Sequence, residues 1–254
     1  MPKNDNALLD IKKYSKQLRL PYINRNIKEL LEEAELKEQG IAGFLCDVLS
    51  LECDQRSENG KLDRIRIANF PYKKYLEDLR VEHLPEDARR KLKQLESLEF
   101  IKTGQNVILA GNPGTGKTHI SIGLGIKACM QGYKVLFTTI PMLINRLKEH
   151  RAARSLLMLE RQFERYDLII ADELGYISFD KEGSELLFTC LSLRAERKST
   201  IITTNLSFER WEEIFKDPIM TAAMVDRLTH KSYLINMNGN SYRLKETEDW
   251  LKSQ

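Results

Sequence analysis

The run Gly111-Asn112-Pro113-Gly114-Thr115-Gly116-Lys117-Thr118 fills every fixed position of a glycine-rich loop that can hold the phosphates of a nucleotide. Gly114 and Gly116 let backbone N–H groups wrap a β-phosphate with no Cβ in the way, and a helix starting near Lys117 points its positive end at it. Lys117 would reach the β- and γ-phosphates and the Thr118 hydroxyl would hold Mg²⁺, with nucleotide contacts expected from Gly111 through His119. Further on, the apolar run Tyr166-Asp167-Leu168-Ile169-Ile170-Ala171 ends in Asp172 and Glu173. Unpaired carboxylates at the end of a buried strand are strongly disfavoured, but beside a bound triphosphate the pair has a use. Asp172 can position Mg²⁺ through its water shell and Glu173 can polarise the attacking water. A bare glycine turn fits poorly once every fixed position is filled between a strand and a helix, whereas a carboxylate pair emerging into solvent would account for the acidic motif were the loop absent. The two motifs together imply ATP hydrolysis.

These residues need a strand before the loop and a helix after it. Asn106-Val107-Ile108-Leu109-Ala110 is short, apolar and β-branched, and His119 to Met130 is proline-free with Ile120, Ile122, Leu124 and Ile126 at helical scatter. From residue 104 onward strands and helices alternate, which predicts an α/β domain with a parallel sheet. Strands are expected at 133–140, 166–173 and 199–205, and helices from Pro141 to about Tyr166, at 180–197 and from Asp217-Pro218 through Leu228, with Ser207 able to cap a short helix. Asn238-Gly239 reads as a hairpin turn. Residues 1–70 read as a separate helical domain, with breaks at Pro21, Gly40 and Asn59-Gly60, and 71–103 as a charged, partly helical linker to the 104–254 domain.

Two residues late in the chain bear on the same chemistry. Asn205 ends an apolar strand in series with the two motif strands; it could be a turn residue, or it could hydrogen-bond a γ-phosphate or its attacking water. Arg227, within Met224-Val225-Asp226-Arg227-Leu228, reads on sequence physics as a surface arginine paired with Asp226.

The chain has 254 residues, 42% hydrophobic and 30% charged, a balance for one α/β domain plus a smaller one. No apolar run approaches the roughly 18 to 20 residues a membrane span requires, and the polar N-terminus carries no secretory segment. Cys46, Cys53, Cys129 and Cys190 form no C-x-x-C pair and two on predicted helices look like core residues, so a reducing cytoplasm is expected and a zinc site is not. Net charge is only +3, but cations cluster locally in residues 1–28, 56–74 and 146–165. Each cluster alone is usually a solvated face; three beside an ATPase core point to DNA, with Arg64, Arg66, Lys73 and Lys74 as candidate contacts.

The motifs GNPGTGKTH, LIIADELG and TTN, with Gly43-Phe44-Leu45 to Glu52, Arg64-Ile65-Arg66-Ile67-Ala68-Asn69-Phe70-Pro71 and Lys74-Tyr75-Leu76-Glu77-Asp78, resemble the AAA+ ATPases of the DnaC/IstB group. Within that group the chain is similar to the IstB-like helper proteins of bacterial insertion sequences, over nearly its whole length. The resemblance implies an AAA+ phosphate-loop core behind a small helical domain, Asn205 as γ-phosphate sensor, Arg227 as a finger reaching a neighbouring subunit's nucleotide, and Glu173 as catalytic base. It further implies ATP-dependent self-association on duplex DNA, DNA deformation and stimulation of a partner transposase, in a bacterial cytoplasm and on its nucleoid. Leu79-Arg80 departs from the aromatic and acid more usual after Glu77-Asp78, which leaves the adenine pocket unassigned.

A helicase loader of the DnaC type shares this core; the N-terminal pattern favours the transposition helper, and co-purification with a helicase would reverse the choice. A small-molecule phosphotransferase would not need Asp172-Glu173 together with Asn205, and a DNA-stimulated ATPase assay separates it. ATP as structural glue sits badly with Glu173.

Overall fold

The computed structural model describes residues 2–253, with side chains from residue 6 onward. Met1, Gln254 and the side chain of Lys3, one of the N-terminal cations, lie outside the described residues. The chain forms two compact units, Met1–Asp63 and Arg64–Gln254.

The smaller unit is helical, built from α1 (Pro2–Gln17), α2 (Pro21–Leu36) and most of α3 (Ile41–Ile67). Its core is Ile23, Ile27 and Val48, with Leu8, Ile11, Leu30 and Phe44 packed against them. Pro21 stands at the first helical position of α2, where its missing N–H costs nothing. The free N–H groups of that turn find no local cap. They are taken by Glu52 of α3, whose Oε2 accepts from Tyr22 (2.9 Å) and Ile23 (3.1 Å). A carboxylate at a helix N-terminus is also favoured by the helix dipole. The break expected at Asn59-Gly60 does not occur: α3 runs through it. A mid-helix glycine costs only about 1 kcal/mol, and the Lys61 to Glu58 ion pair (2.5 Å) spans the position.

In the larger unit, β1 (Val107–Ala110), β2 (Val135–Thr139), β3 (Leu168–Leu174), β4 (Ser199–Thr204) and β5 (Tyr233–Asn236) form one parallel sheet in the order β2-β3-β4-β1-β5. Both faces are covered, which is why the strands read as continuous apolar runs. One face packs α4 (Glu86–Glu96), α5 (Glu99–Lys102) and α6 (Lys117–Met130); the other packs α7 (Ile140–Ala152), α8 (Leu156–Glu164), α9 (Lys181–Ser192), α10 (Glu212–Phe215) and α11 (Pro218–Thr229). A last helix, α12 (Tyr242–Lys252), follows β5.

Three sequence expectations change here. The stretch 71–103 contributes Leu76, Leu84, Leu92, Leu95 and Phe100 to the core on the α6 face. Its Leu84, Ala88, Leu92 and Leu95 make an apolar stripe at helical spacing that the intervening charges hide. The helix expected from Pro141 to Tyr166 is two helices, broken where Arg154 takes a positive φ of 54°. The turn at Asn238-Gly239 does not close a hairpin. β5 pairs parallel with β1, and the turn carries the chain onto the phosphate loop, where the Asn112 side-chain amide donates to the Gly239 carbonyl (3.2 Å).

A buried arginine stabilises the junction behind β4. Arg194 is 2% exposed; it donates to the carbonyls of Phe163 (2.5 Å), Tyr166 (3.1 Å) and Ser199 (2.9 Å), and burial lowers its pKa to about 10. Arg194→Met should strand those carbonyls and cost on the order of 3 kcal/mol, read as a lower denaturant midpoint with an unchanged slope.

Candidate nucleotide site

β1 delivers the chain into the loop at Gly111, and α6 begins at Lys117, capped by Gly116 with φ 93°. Gly114 has φ 77°, and a Cβ there would collide with the side chain of Ser241. The loop is therefore glycine-rich for two reasons: the backbone conformation and the close approach of the segment leading into α12. The Tyr242 N–H also donates to the Gly114 carbonyl (2.9 Å), fastening the start of α12 to the loop.

Lys117 is 8% exposed, and its Nζ donates to the carbonyls of Gly111 and Asn112, both at 2.7 Å. Burial lowers its pKa to about 8, opposed by the charge of Asp172. Asp172 is 3% exposed; burial pushes its carboxyl above the usual carboxylate range, against hydrogen bonds from Thr203 and Thr118. The Thr118 hydroxyl lies 3.2 Å from both Asp172 oxygens, and the Thr203 hydroxyl donates to Oδ1 at 2.5 Å. Glu173 is exposed and borders the same cleft.

The cleft has a volume of about 420 Å³, within the range of small-molecule sites. Loop residues 113–119 form its floor, His119 included, whose Nε2 is 2.8 Å from the Tyr75 carbonyl oxygen. The far wall contains His83, Leu84 and Tyr242, with the His83 and Tyr242 rings 5.3 Å apart. Backbone cradle, buried lysine and open wall fit a nucleoside triphosphate. Among the described residues no group of three His, Cys, Asp or Glu side chains could hold a metal alone. The Thr118–Asp172 pair suits Mg²⁺, which usually keeps waters and borrows phosphate oxygens instead of sitting in a protein cage.

Gly111 to Thr118, Asp172 and Glu173 thus come together. Asn205 does not join them. β4 ends at Thr204, the chain turns there with the Leu206 N–H on the Thr204 hydroxyl (3.1 Å), and Asn205 lines a separate groove with Leu206 and Phe208. Its Oδ1 is buried beside Gly175 and has no hydrogen-bond partner among the described residues. Thr203 occupies the place beside Asp172 instead. Arg227 is exposed on α11, outside this cleft, with its guanidinium 4.8 Å from the centre of the Phe188 ring. It forms no ion pair with Asp226 among the described residues; neighbours in a helix sequence point to different faces.

Of the candidate DNA contacts, Arg64 is half-buried and its Nε donates to the Cys129 carbonyl (2.7 Å) at the end of α6, while Lys74 borders the nucleotide cleft. Arg66 and Lys73 are exposed. The cysteines divide: Cys129 and Cys190 are buried, with burial raising both thiols to about 12, and Cys46 and Cys53 are exposed. Sequence reading missed Arg243, on the first turn of α12, which borders the cleft and is close enough to bear on the ionisation of both Lys117 and Asp172. No motif spacing marks it, because it reaches the site only through the path of the chain after β5.

The family described as IstB-like ATP binding protein matches residues 13–249. The chain belongs to this family. The insertion sequence IS21 ATP-binding protein of Pseudomonas aeruginosa is 37% identical over 91% of this chain and 87% of its own length. Among solved structures, the DnaC helicase loader superposes with TM-score 0.53 at 19% identity, over 72% of this chain and 98% of its own. The replication initiator DnaA, bound to AMPPCP and single-stranded DNA, superposes with TM-score 0.56 at 18% identity, over 70% of this chain; the chain spans only 54% of that protein. These likenesses show the fold, an AAA+ phosphate-loop core, and the family makes this IstB-like chain an ATP-binding protein. Among the described residues no helix is long and apolar enough to cross a membrane.

Proposed function

We propose that this IstB-like chain hydrolyses ATP at the cleft and uses the bound nucleotide to assemble on duplex DNA, as the helper of an insertion sequence's transposase. One observation carries the hydrolytic part: the phosphate loop and Glu173 border a single cleft, and Asp172 bonds two residues of its lining, Thr118 and Thr203. In the step proposed, Glu173 takes a proton from a water whose oxygen attacks the γ-phosphorus. The bond from that phosphorus to the β,γ-bridging oxygen breaks, leaving ADP and phosphate. Lys117 and Arg243 oppose the charge on the phosphates. Mg²⁺, held by Thr118 and through water by Asp172, would neutralise the β- and γ-oxygens when bound. A γ-phosphate sensor role for Asn205 would use its side-chain amide, whose Oδ1 is buried without a hydrogen-bond partner among the described residues.

The DNA part draws support from the insertion-sequence names of the relatives and from exposed cations. Lys12, Lys13 and Lys16 lie exposed on α1, and Arg66 and Lys73 are exposed in the larger unit. Arg64 is set aside because its Nε donates to the Cys129 carbonyl, and Lys74 because it borders the nucleotide cleft. The match over residues 13–249, which includes most of the helical unit, favours the transposition helper over a helicase loader. The test measures complex size on duplex DNA by sedimentation. ATP should produce a large complex that nucleotide-free protein does not form, and equal sizes would refute the coupling. Arg66→Ala with Lys73→Ala should flatten the salt dependence of DNA affinity by roughly two units, whereas Arg64→Ala should lower stability and leave the slope alone.

A further inference from the structure

Adjacent residues of a regular strand point to opposite faces of the sheet. Glu173 nevertheless borders the cleft while Asp172 next to it bonds Thr118 and Thr203 of the cleft lining, and the sheet register explains how both serve one site. β3 pairs Ala171 with Ile202 and Leu174 with Thr204, so Asp172 and Glu173 together face Thr203 alone. This is a bulge, an irregularity that re-aims side chains and is over-represented beside active sites. Glu173 absorbs it with φ 68°, a left-handed conformation that a non-glycine residue keeps only where its surroundings enforce it.

Thr203 supplies that enforcement. It is 2% exposed, and its hydroxyl makes two hydrogen bonds, accepting from the Glu173 N–H at 2.9 Å and donating to Asp172 Oδ1 at 2.5 Å. A hydroxyl is the smallest group that can do both, and a valine of the same shape can do neither. The Glu173 peptide is thereby tied to the carboxylate that partners Thr118.

We infer that Thr203 is a positioning residue for hydrolysis: its hydroxyl holds the Glu173 backbone in the left-handed conformation that aims the Glu173 carboxylate into the nucleotide cleft. This rests on Glu173 being the base. Thr203→Val removes the donor and the acceptor together at nearly constant volume. A base displaced by an ångström loses about 100-fold in rate, so hydrolysis at saturating ATP and Mg²⁺ should fall by that order. Affinity for a fluorescent, non-hydrolysable ATP analogue should change little, and Thr203→Ser, which keeps the hydroxyl, should restore most of the rate. Parent-rate hydrolysis by Thr203→Val overturns the inference. So does a loss that Thr203→Ser fails to rescue, or one that raised Mg²⁺ reverses, since the latter would put the effect on Asp172 alone. If thermal melting shows Thr203→Val unfolded, Thr203→Ala, with room for a water, is read in the same assays against the same outcomes. Glu173→Gln run alongside separates the two levels. Should it hydrolyse at the parent rate, the base assignment falls and this inference with it; should it be inactive while Thr203→Val is not, only the inference falls.

Discussion

Lys117→Ala should abolish ATP binding, and Glu173→Gln should leave binding intact while hydrolysis falls by about 10²- to 10⁴-fold. The contrast follows from where the two groups stand. Lys117 is buried at the floor of the cleft, with its ammonium on two loop carbonyls and its pKa lowered to about 8 by burial. The loop thus holds a desolvated cation that a phosphate can satisfy further, and alanine leaves the two carbonyls without a donor and the phosphates without their nearest charge. Glu173 is exposed at the cleft edge, so its amide keeps the shape and loses only the capacity to accept a proton. The lowered Lys117 pKa adds a pH signature. Bound phosphates favour the charged amine and raise its pKa, so nucleotide affinity should be level below pH 8. Above it, binding must first take up a proton, and affinity should fall by up to tenfold per pH unit. Calorimetric titration across pH 6.5 to 9.5 checks both parts. Tight binding by Lys117→Ala, or an affinity that ignores pH in the parent, would remove Lys117 from the phosphate site.

What could be read from the sequence divides along physical lines. The phosphate loop and the Asp172-Glu173 strand end were legible as structure because their geometry depends on local spacing: consecutive residues around one turn, or one strand running into one pair of acids. The parallel sheet followed from alternation of apolar runs with helical ones. Residues brought to the site by topology were not legible. Thr203 looks like any β-branched strand residue until the register sets it opposite a bulge, and Arg243 is one cation among several near the C-terminus until β5 delivers it to the loop. Asn205 shows the converse: in series with the motif strands by sequence, it is carried away by a turn that closes one residue earlier, at Thr204. The stretch 71–103 looked like a linker because its apolar stripe is diluted by charge, although Gly123 of α6 packs so closely on Leu76 that a Cβ would stand 2.6 Å from it. Charge clustering says nothing of surroundings: it groups Arg64 and Lys74 with Arg66 and Lys73, although Arg64 donates to the Cys129 carbonyl and Lys74 borders the nucleotide cleft.

Arg227 offers the second large effect, and it is visible only in an assembly. Within one chain its guanidinium lies over Phe188, exposed and outside the chain's own cleft, so truncation should leave nucleotide binding by the free protein unchanged. Stacking on an aromatic face still leaves the planar edge of a guanidinium free to donate, and such an edge suits a phosphate presented by a neighbouring protomer. If it serves as the finger that the family resemblance implies, it stabilises transition-state charge from across an interface, a role worth about 10³- to 10⁵-fold in rate. Arg227→Ala should then lose both hydrolysis and ATP-driven assembly on DNA while binding the fluorescent analogue like the parent. Arg227→Lys should recover little, because a point charge on a flexible stem replaces neither the planar edge nor its stacking. The decisive measurement mixes Arg227→Ala with Lys117→Ala protein, each inactive alone. In co-assemblies, some interfaces set the intact loop of an Arg227→Ala protomer against the intact arginine of a Lys117→Ala protomer, and hydrolysis should partly return with a rate that depends on the mixing ratio. With both proteins folded and shown to co-assemble, an inactive mixture would leave Arg227 as a surface arginine whose partner is Phe188 and nothing beyond its own chain.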